Sequence, residues 1–143
     1  MGRGEAPAVG LDQLLSVHRR AETRLTQCTA RLESLRAEEQ KAMGAEAQAL
    51  EEQEVAREAA ESCGPADGSG EDLQEAFYQA CEAAERAAEE LAGWSAQRRT
   101  AEEAWERARE EVRRAGEDTR PLADKRKRLE RSEVSKRLDQ GRA

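Results

Sequence analysis

The residue types that most often carry chemistry are scarce and widely spaced in this chain. His18 is the only histidine, and the three cysteines, Cys28, Cys63 and Cys81, are odd in number and lack metal-ligand spacing. A zinc site of the usual kind would need a second histidine or clustered thiolates. We therefore interpret His18 as a buried or half-buried spacer rather than a catalyst or ligand, and we expect three free thiols.

Two further patterns could suggest catalysis or nucleotide binding. The segment Gly68-Ser69-Gly70 opens a helix as phosphate loops do, but no strand precedes it, and Glu71 and Asp72 would repel a phosphate. Neighbouring carboxylates such as Glu102 and Glu103 have no predicted pocket that could shift their pKa values. We therefore predict a protein that is not an enzyme, with no catalytic residue, metal or cofactor.

The basic run 125–128, Lys-Arg-Lys-Arg, is the remaining candidate for a binding site. Nucleic acid is not the expected partner, because the chain carries a net charge of −7 and no aromatic residue lies near the run. The surrounding apolar residues are sparse and include no Trp or Phe, so we expect at most a peripheral membrane contact. A protein partner is the interpretation that we favour.

The second half of the chain contains a long row of apolar residues with alternating spacings of three and four. This spacing is typical of a helix that faces a partner helix in a coiled coil, and it predicts a helix over 71–116. Only Arg98 interrupts the row. Its apolar members are Leu73, Phe77, Ala80, Ala84, Ala87, Leu91, Trp94, Ala101, Trp105, Ala108, Val112 and Ala115.

The first half contains a similar row, which predicts a helix over 11–62. Its early members are Leu11, Leu14, His18, Ala21, Leu25, Cys28, Leu32 and Leu35. After these, Met43, Ala47 and Leu50 continue the row in a register shifted by one residue. Between the two helices, 63–70 contains one proline and three glycines, and Ser69 with Asp72 forms a capping box, so we predict a turn there.

These features predict an all-α fold, a long antiparallel two-helix coiled-coil hairpin over 11–119 that follows a disordered N-terminus, 1–10. With 38% charged and 3% aromatic residues, the chain has the composition of a coiled coil and lacks the bulky side chains of a globular interior. A turn centred near residue 67 pairs residues whose numbers sum to roughly 134. Leu32 should then face Ala101, and Cys28 should lie near Trp105.

The segment 120–143 differs from the hairpin in charge and pattern. Gly116 and Pro121 interrupt the row, and residues beyond about 123 have no predicted partner in the first helix. Apolar residues continue sparsely, at Leu122, Leu129, Val134 and Leu138, among nine basic and four acidic side chains. We interpret this segment as a basic, weakly amphipathic helical extension that awaits a partner, with a frayed, solvated tail as the alternative.

Charge is sorted along the predicted hairpin. Residues 38–90 hold 16 acidic and 3 basic side chains, a net charge of −13, whereas residues 120–143 carry +5 and residues 1–36 carry +2. Folding would bring the two basic segments to one end. Such polarity can orient the approach to a complementary partner, although solvated helix faces would also account for runs of charge.

This arrangement resembles the FliJ/YscO-like stalk proteins of bacterial type III secretion and flagellar export. The similar features are the leading segment LDQLLSVHRRAE (11–22), the Ala/Arg-rich helices, the interrupted middle and the late segment KRKRLER (125–131). The resemblance implies a stalk that enters the central pore of a hexameric secretion ATPase with both helix ends inside the ring. It also implies contacts with an export gate component and with secretion chaperones.

On this hypothesis the chain is a cytoplasmic stalk and adaptor, monomeric in isolation, and its opening residues lack the apolar core of a signal peptide. A possible lateral contact is placed at Phe77, Tyr78 and Cys81. The alternative is a generic coiled-coil scaffold or tether that self-associates through Phe77, Tyr78 and Trp94. The predicted partner-binding residues are Leu122, Lys125, Arg126, Lys127, Arg128, Leu129 and Arg131.

Overall fold

The chain folds as two long α-helices that pack antiparallel against each other. The computed structural model describes residues 10–62 and 70–142, and every one of them is helical: α1 is Gly10–Ser62 and α2 is Gly70–Arg142. The prediction of an all-α helical hairpin is therefore confirmed. The predicted N-terminal disorder, Cys63, and the turn with its capping residue Ser69 lie outside the described residues.

Local sequence explains why these segments are helical. Ala, Glu, Arg and Leu dominate both helices and have high intrinsic helix propensity. Acidic residues occupy the first turns, Asp12 in α1 and both Glu71 and Asp72 in α2, where they stabilise the positive end of the helix dipole. No described residue has a positive φ, so the described glycines have ordinary helical backbone.

The contacts divide the chain into two units. The first unit combines the part of α1 up to Thr29 with the part of α2 from Ala104 onward. There, a methyl group placed on Gly10 would lie 3.5 Å from Leu122, and the Trp105 indole donates a hydrogen bond to the Thr29 hydroxyl at 3.0 Å. Residue numbers therefore rise along α1 while those of the facing residues fall along α2, as expected for antiparallel helices in the predicted register.

The second unit is Ala30–Glu103. The Gln53 amide donates a hydrogen bond to the Cys81 sulfur at 3.2 Å, and Arg98 pairs with Glu39 at 2.7 Å, so this unit is also antiparallel. Its buried side chains are short or aliphatic, which allows the helices to approach closely. They are Leu32, Leu35, Ala42, Ala84 and Ala101.

We call the row of residues on each helix that faces the other helix the seam. The prediction that Met43, Ala47 and Leu50 continue the seam of α1 is wrong. All three are exposed, and the heptad that starts at Leu11 continues without a shift. An unshifted register buries Ala42 and brings Glu39 to Arg98, whereas a shift would leave the half-buried Arg98 without this partner. The residues that occupy the seam instead are Glu39, Ala42, Glu46, Ala49, Gln53 and Ala56.

The helix α2 does not end near residue 116, where the sequence predicts its end, but continues through Gly116 and Pro121. An internal proline removes one backbone hydrogen bond and costs up to about 3 kcal/mol. Packing on α1 around the proline offsets this cost, because Ala115 and Thr119 are buried and Leu122 lies against Gly10. The seam therefore runs past both predicted interruptions.

Candidate partner-binding surfaces

The most exposed region of the first unit is the C-terminal part of α2. Each residue from 124 to 141, which we call the arm, is exposed. Among the described residues of α1, Asp12 is the one that forms an ion pair with the arm, to Arg126 at 3.7 Å, and its own side chain is 92% exposed. Arg126 also pairs with Glu130 at 3.5 Å within the arm. The arm is thus a helix with almost no packing partner among residues 10–62 and 70–123.

The seven predicted partner-binding residues separate into two groups. Leu122 is half-buried beside Gly10 and belongs to the helix-helix seam. The other six, all in the arm, are exposed. They are Lys125, Arg126, Lys127, Arg128, Leu129 and Arg131.

The arm has a second apolar face, whose residues the sequence pattern identifies as sparse apolar positions but does not assign to partner binding. Val134 and Leu138 are exposed and line a shallow concave surface with Lys127 and Arg131. Their spacing of four residues places them on one face of the helix, and the two cations border that face. This spacing was the signal that could have identified them. The arm therefore presents aliphatic side chains together with positive charge.

The structure separates the residues of the predicted lateral contact. Phe77 is half-buried in the seam, and Cys81 is half-buried beside it and accepts the hydrogen bond from Gln53. Tyr78 alone projects, with 60% of its surface exposed, and its ring lies 6.2 Å from that of Phe77. Trp94, which the scaffold alternative also uses, is half-buried. A lateral contact at this level would therefore rest mainly on Tyr78.

Charged residues in the seam of the second unit form a connected network. Arg98, the residue that interrupts the apolar row of α2, pairs with Glu39 of α1 and with Glu102 of its own helix at 3.0 Å. Arg36 reaches Glu102 at 3.4 Å. Hydrogen bonds from Arg98 and then Ser95 hold the pKa of Glu39 below its usual value, and Arg98 likewise lowers the pKa of Glu102. The network therefore favours the ionised form of both carboxylates.

A second surface of the first unit surrounds Val17, which is exposed although it is apolar. It lies in an open groove with Arg20, Arg24 and Arg114 and with the carboxylates of Glu111 and Asp118, while Ala21 forms part of the groove floor. The sequence signal for this groove is a valine outside the 3,4 row beside two arginines one turn apart. Its three arginines and two carboxylates leave the groove a net charge of only +1, and Arg24 already pairs with Glu111.

The remaining candidates for chemistry are built into the helix-helix seam. His18 is half-buried, its Nε2 lies 3.2 Å from a Glu22 carboxylate oxygen, and a methyl group placed on Gly116 would lie 3.6 Å from it. Cys28 and Cys81 are free thiols. Among residues 10–62 and 70–142, no three His, Cys, Asp or Glu residues are grouped as metal ligands would be. Neither described helix contains a stretch apolar enough to cross a lipid bilayer.

The chain was compared with known families, curated proteins and solved structures. No family model matches it, and no curated protein or solved structure matches it at a significant level.

Proposed function

We propose that this protein is a non-enzymatic stalk and adaptor of a bacterial type III secretion ATPase, acting in the cytoplasm. The observation that carries the proposal is the arm. Residues 124–141 continue α2 as an exposed basic helix beyond the level at which Gly10 of α1 lies against Leu122. The resemblance to FliJ/YscO-like proteins implies a two-helix stalk whose helix ends enter the ring, and the arm is the basic end that would engage it.

The physical state of the arm supports a binding role. A solvated helix of this length gains little stability from its own backbone, because helix stability in proteins comes mainly from packing of an amphipathic face. The arm lacks such packing and exposes Leu129, Val134 and Leu138. A partner that covered these side chains would supply the missing burial, and its acidic groups would match the arm's cations.

In the proposed mechanism, the arm enters or approaches the ATPase ring first. Its positive charge guides it toward a pore lined with acidic or polar groups, and its aliphatic side chains then make the short-range contact. The export gate component and secretion chaperones would bind elsewhere on the hairpin. The protein performs no chemistry in this scheme and transmits ring movement through its helices.

The test uses full-length protein and the hexameric secretion ATPase of its own cells. Charge reversal at three exposed arm positions, Lys127→Glu, Arg128→Glu and Arg131→Glu, should weaken binding by at least about tenfold and abolish ATPase stimulation. Helicity should be unchanged, because exposed charges contribute little to folding. Wild-type binding should weaken as salt is raised, because salt screens exposed charges.

A matched control reverses three exposed acidic residues of the second unit, Glu82→Lys, Glu85→Lys and Glu89→Lys. This variant should bind and stimulate the ATPase as the wild type does. Loss of activity in the control with full activity in the arm variant would mean that the second unit engages the ring. If neither variant changes binding or stimulation, the stalk proposal fails.

The second candidate is a coiled-coil scaffold or tether that self-associates, and the exposed Tyr78 is the observation that favours it. Sedimentation equilibrium separates the two functions without any partner. A stalk should be a monomer at micromolar concentration. A stable dimer that is lost on Tyr78→Ser substitution would support the scaffold.

A further inference from the structure

The helix α1 carries a row of exposed apolar side chains that its own fold does not use. Met43 and Leu50 are 48% and 50% exposed, and Ala47 between them is also exposed. Their spacings of four and three residues place them on one face of α1. We call these three residues the α1 row. Such a row is typical of a helix face that packs against another helix.

The α1 row lies outside the seam because polar residues occupy the seam in its place. Glu39, Glu46 and Gln53 are half-buried at the seam positions of the same stretch. Glu39 and Gln53 have partners in α2, Arg98 and Cys81. The hairpin is therefore complete without Met43, Ala47 and Leu50, and these side chains remain open to an additional partner.

The charge around the α1 row indicates what kind of partner would fit. Residues 38–62 contain eight acidic and two basic side chains. Both basic residues already pair within α1, Lys41 with Glu38 at 3.6 Å and Arg57 with Glu61 at 3.0 Å and also with Glu54. The acidic surplus is therefore available to a partner and would favour a cationic one.

Individual acidic residues border the α1 row closely. Glu46 follows Met43 by three residues, Glu51 follows Ala47 by four, and Glu54 follows Leu50 by four, so each lies one turn from a row member. Glu51 and Glu54 are exposed. A partner side chain that packs on the row would thus have carboxylates on both sides.

We propose that the α1 row and its bordering carboxylates form a docking surface for a basic amphipathic helix of a partner protein. The partner is helical because a 3,4-spaced row matches the side-chain rows of another helix. It is basic because its flanking lysines or arginines would meet Glu46 and Glu51, whereas Glu54 already pairs with Arg57. Met43 adds adaptability, since its flexible thioether side chain packs against varied surfaces. This surface belongs to the second unit, and the proposal does not depend on what the arm binds.

The test measures binding of a synthetic probe to the full-length protein by fluorescence anisotropy. The probe is an 18-residue peptide with leucines at 3,4 spacing and with lysine and alanine elsewhere. The double variant Met43→Asn with Leu50→Asn keeps the protein charge and should weaken binding by more than about tenfold, because it removes two apolar contacts. Glu51→Lys should also weaken binding, and more strongly at low salt than at high salt.

Val55→Asn is the matched control, because Val55 lies on the same helix, is 61% exposed and is outside the α1 row. Its affinity for the probe should stay within about twofold of wild type. A second peptide, with the same leucines and glutamate in place of lysine, should bind at least about tenfold more weakly than the basic one.

Three results would overturn the proposal. The first is equal affinity of the basic peptide for wild type and the Met43/Leu50 double variant, which would indicate attraction by charge alone. The second is an affinity of the acidic peptide for wild type that equals the affinity of the basic peptide. The third is self-association of the chain that disappears in the double variant, which would make a second copy the occupant. ATPase stimulation by the arm variants is measured separately, so failure here leaves the stalk proposal intact.

Discussion

The two units of the hairpin use the same heptad spacing but place different residues in their seams. In the first unit, seam positions of α1 such as Leu11, Leu14 and Leu25 are apolar and buried or half-buried. In the second unit, Glu39 and Gln53 take seam positions and find partners in α2. The first unit thus follows the apolar pattern, whereas the second unit departs from it.

This difference shows what determines a long helical register. A continuous heptad keeps facing its partner even where single positions become polar, provided that those residues are paired. The consequence in the second unit is that Met43 and Leu50 remain exposed. In the first unit the exposed binding surface arises in another way, from an arm that extends beyond the end of α1.

The largest expected effect contrasts two leucines of α1 in the second unit. Leu32→Ala should lower the free energy of unfolding by about 2 to 5 kcal/mol, because it leaves a cavity in the seam. Leu50→Ala removes the same atoms from the exposed α1 row and should change the free energy of unfolding by less than about 0.5 kcal/mol. Urea unfolding followed by circular dichroism measures both. Equal losses would mean that the shifted register is the correct one.

A smaller loss of stability is expected when one partner of the Glu39–Arg98 ion pair is replaced. Arg98→Leu leaves the half-buried Glu39 without its partner, and Glu39→Leu leaves Arg98 likewise, so each should destabilise the hairpin. The double substitution should be more stable than either single one, because apolar residues of similar size can replace a buried ion pair. Thermal unfolding of the four proteins gives the coupling. Additive losses would show that the pair does not interact.

The polar seam should also make stability depend on pH. The pKa of Glu39 in the folded chain is below its usual value of 4.5. Its ion pair therefore stabilises the fold above about pH 4.5, and this contribution is lost as the pH falls through the folded-state pKa. Glu39→Gln should be less stable than wild type at pH 7, and the difference should shrink toward pH 2.

The comparison for this pH series is Glu103→Gln, which changes an exposed carboxylate of α2. Its melting temperature should follow that of wild type across the whole range. A Glu39→Gln variant that parallels wild type in the same way would contradict the assigned role of Glu39.

The smallest predicted effects come from glycines in the helices. Gly44→Ala and Gly93→Ala should each stabilise the chain by about 0.5 to 1 kcal/mol, because neither glycine has a positive φ and a methyl group meets nothing within 4 Å. Gly116→Ala should be similar or slightly less stabilising, since its methyl group would be in ordinary contact with His18. Melting temperatures compare the three, and destabilisation would contradict regular helix at that position.

The candidate surfaces were predictable to different degrees. The basic residues of the arm are evident from the sequence, because charge runs and the pairing rule both mark 125–131 as unpartnered. Val134 and Leu138 were recognised as apolar positions but not assigned to binding, because sparse apolar residues in a charged segment give a weak signal. The α1 row was identified as apolar but assigned to the seam, since local pattern cannot tell which of two adjacent helix faces the partner helix will cover.

The sequence by itself determined that this chain forms two long helices and that they pair antiparallel. Helix propensity and 3,4 spacing are local properties, and the proline and glycines at 63–70 separate the two helical segments. The apolar row of α2 from Leu73 to Ala115 was likewise evident, and its members are buried or half-buried. These features can be predicted without knowing which residues are in contact.

Only the tertiary structure decided which face of α1 lies in the seam and where α2 ends. Glu39 enters the seam because Arg98 occupies the same level of α2, a pairing between residues 59 apart in sequence. Pro121 remains within the helix because Thr119 and Leu122 pack on α1 and offset its local cost. In both cases contacts between distant residues outweighed a local preference, and local pattern alone does not report such contacts.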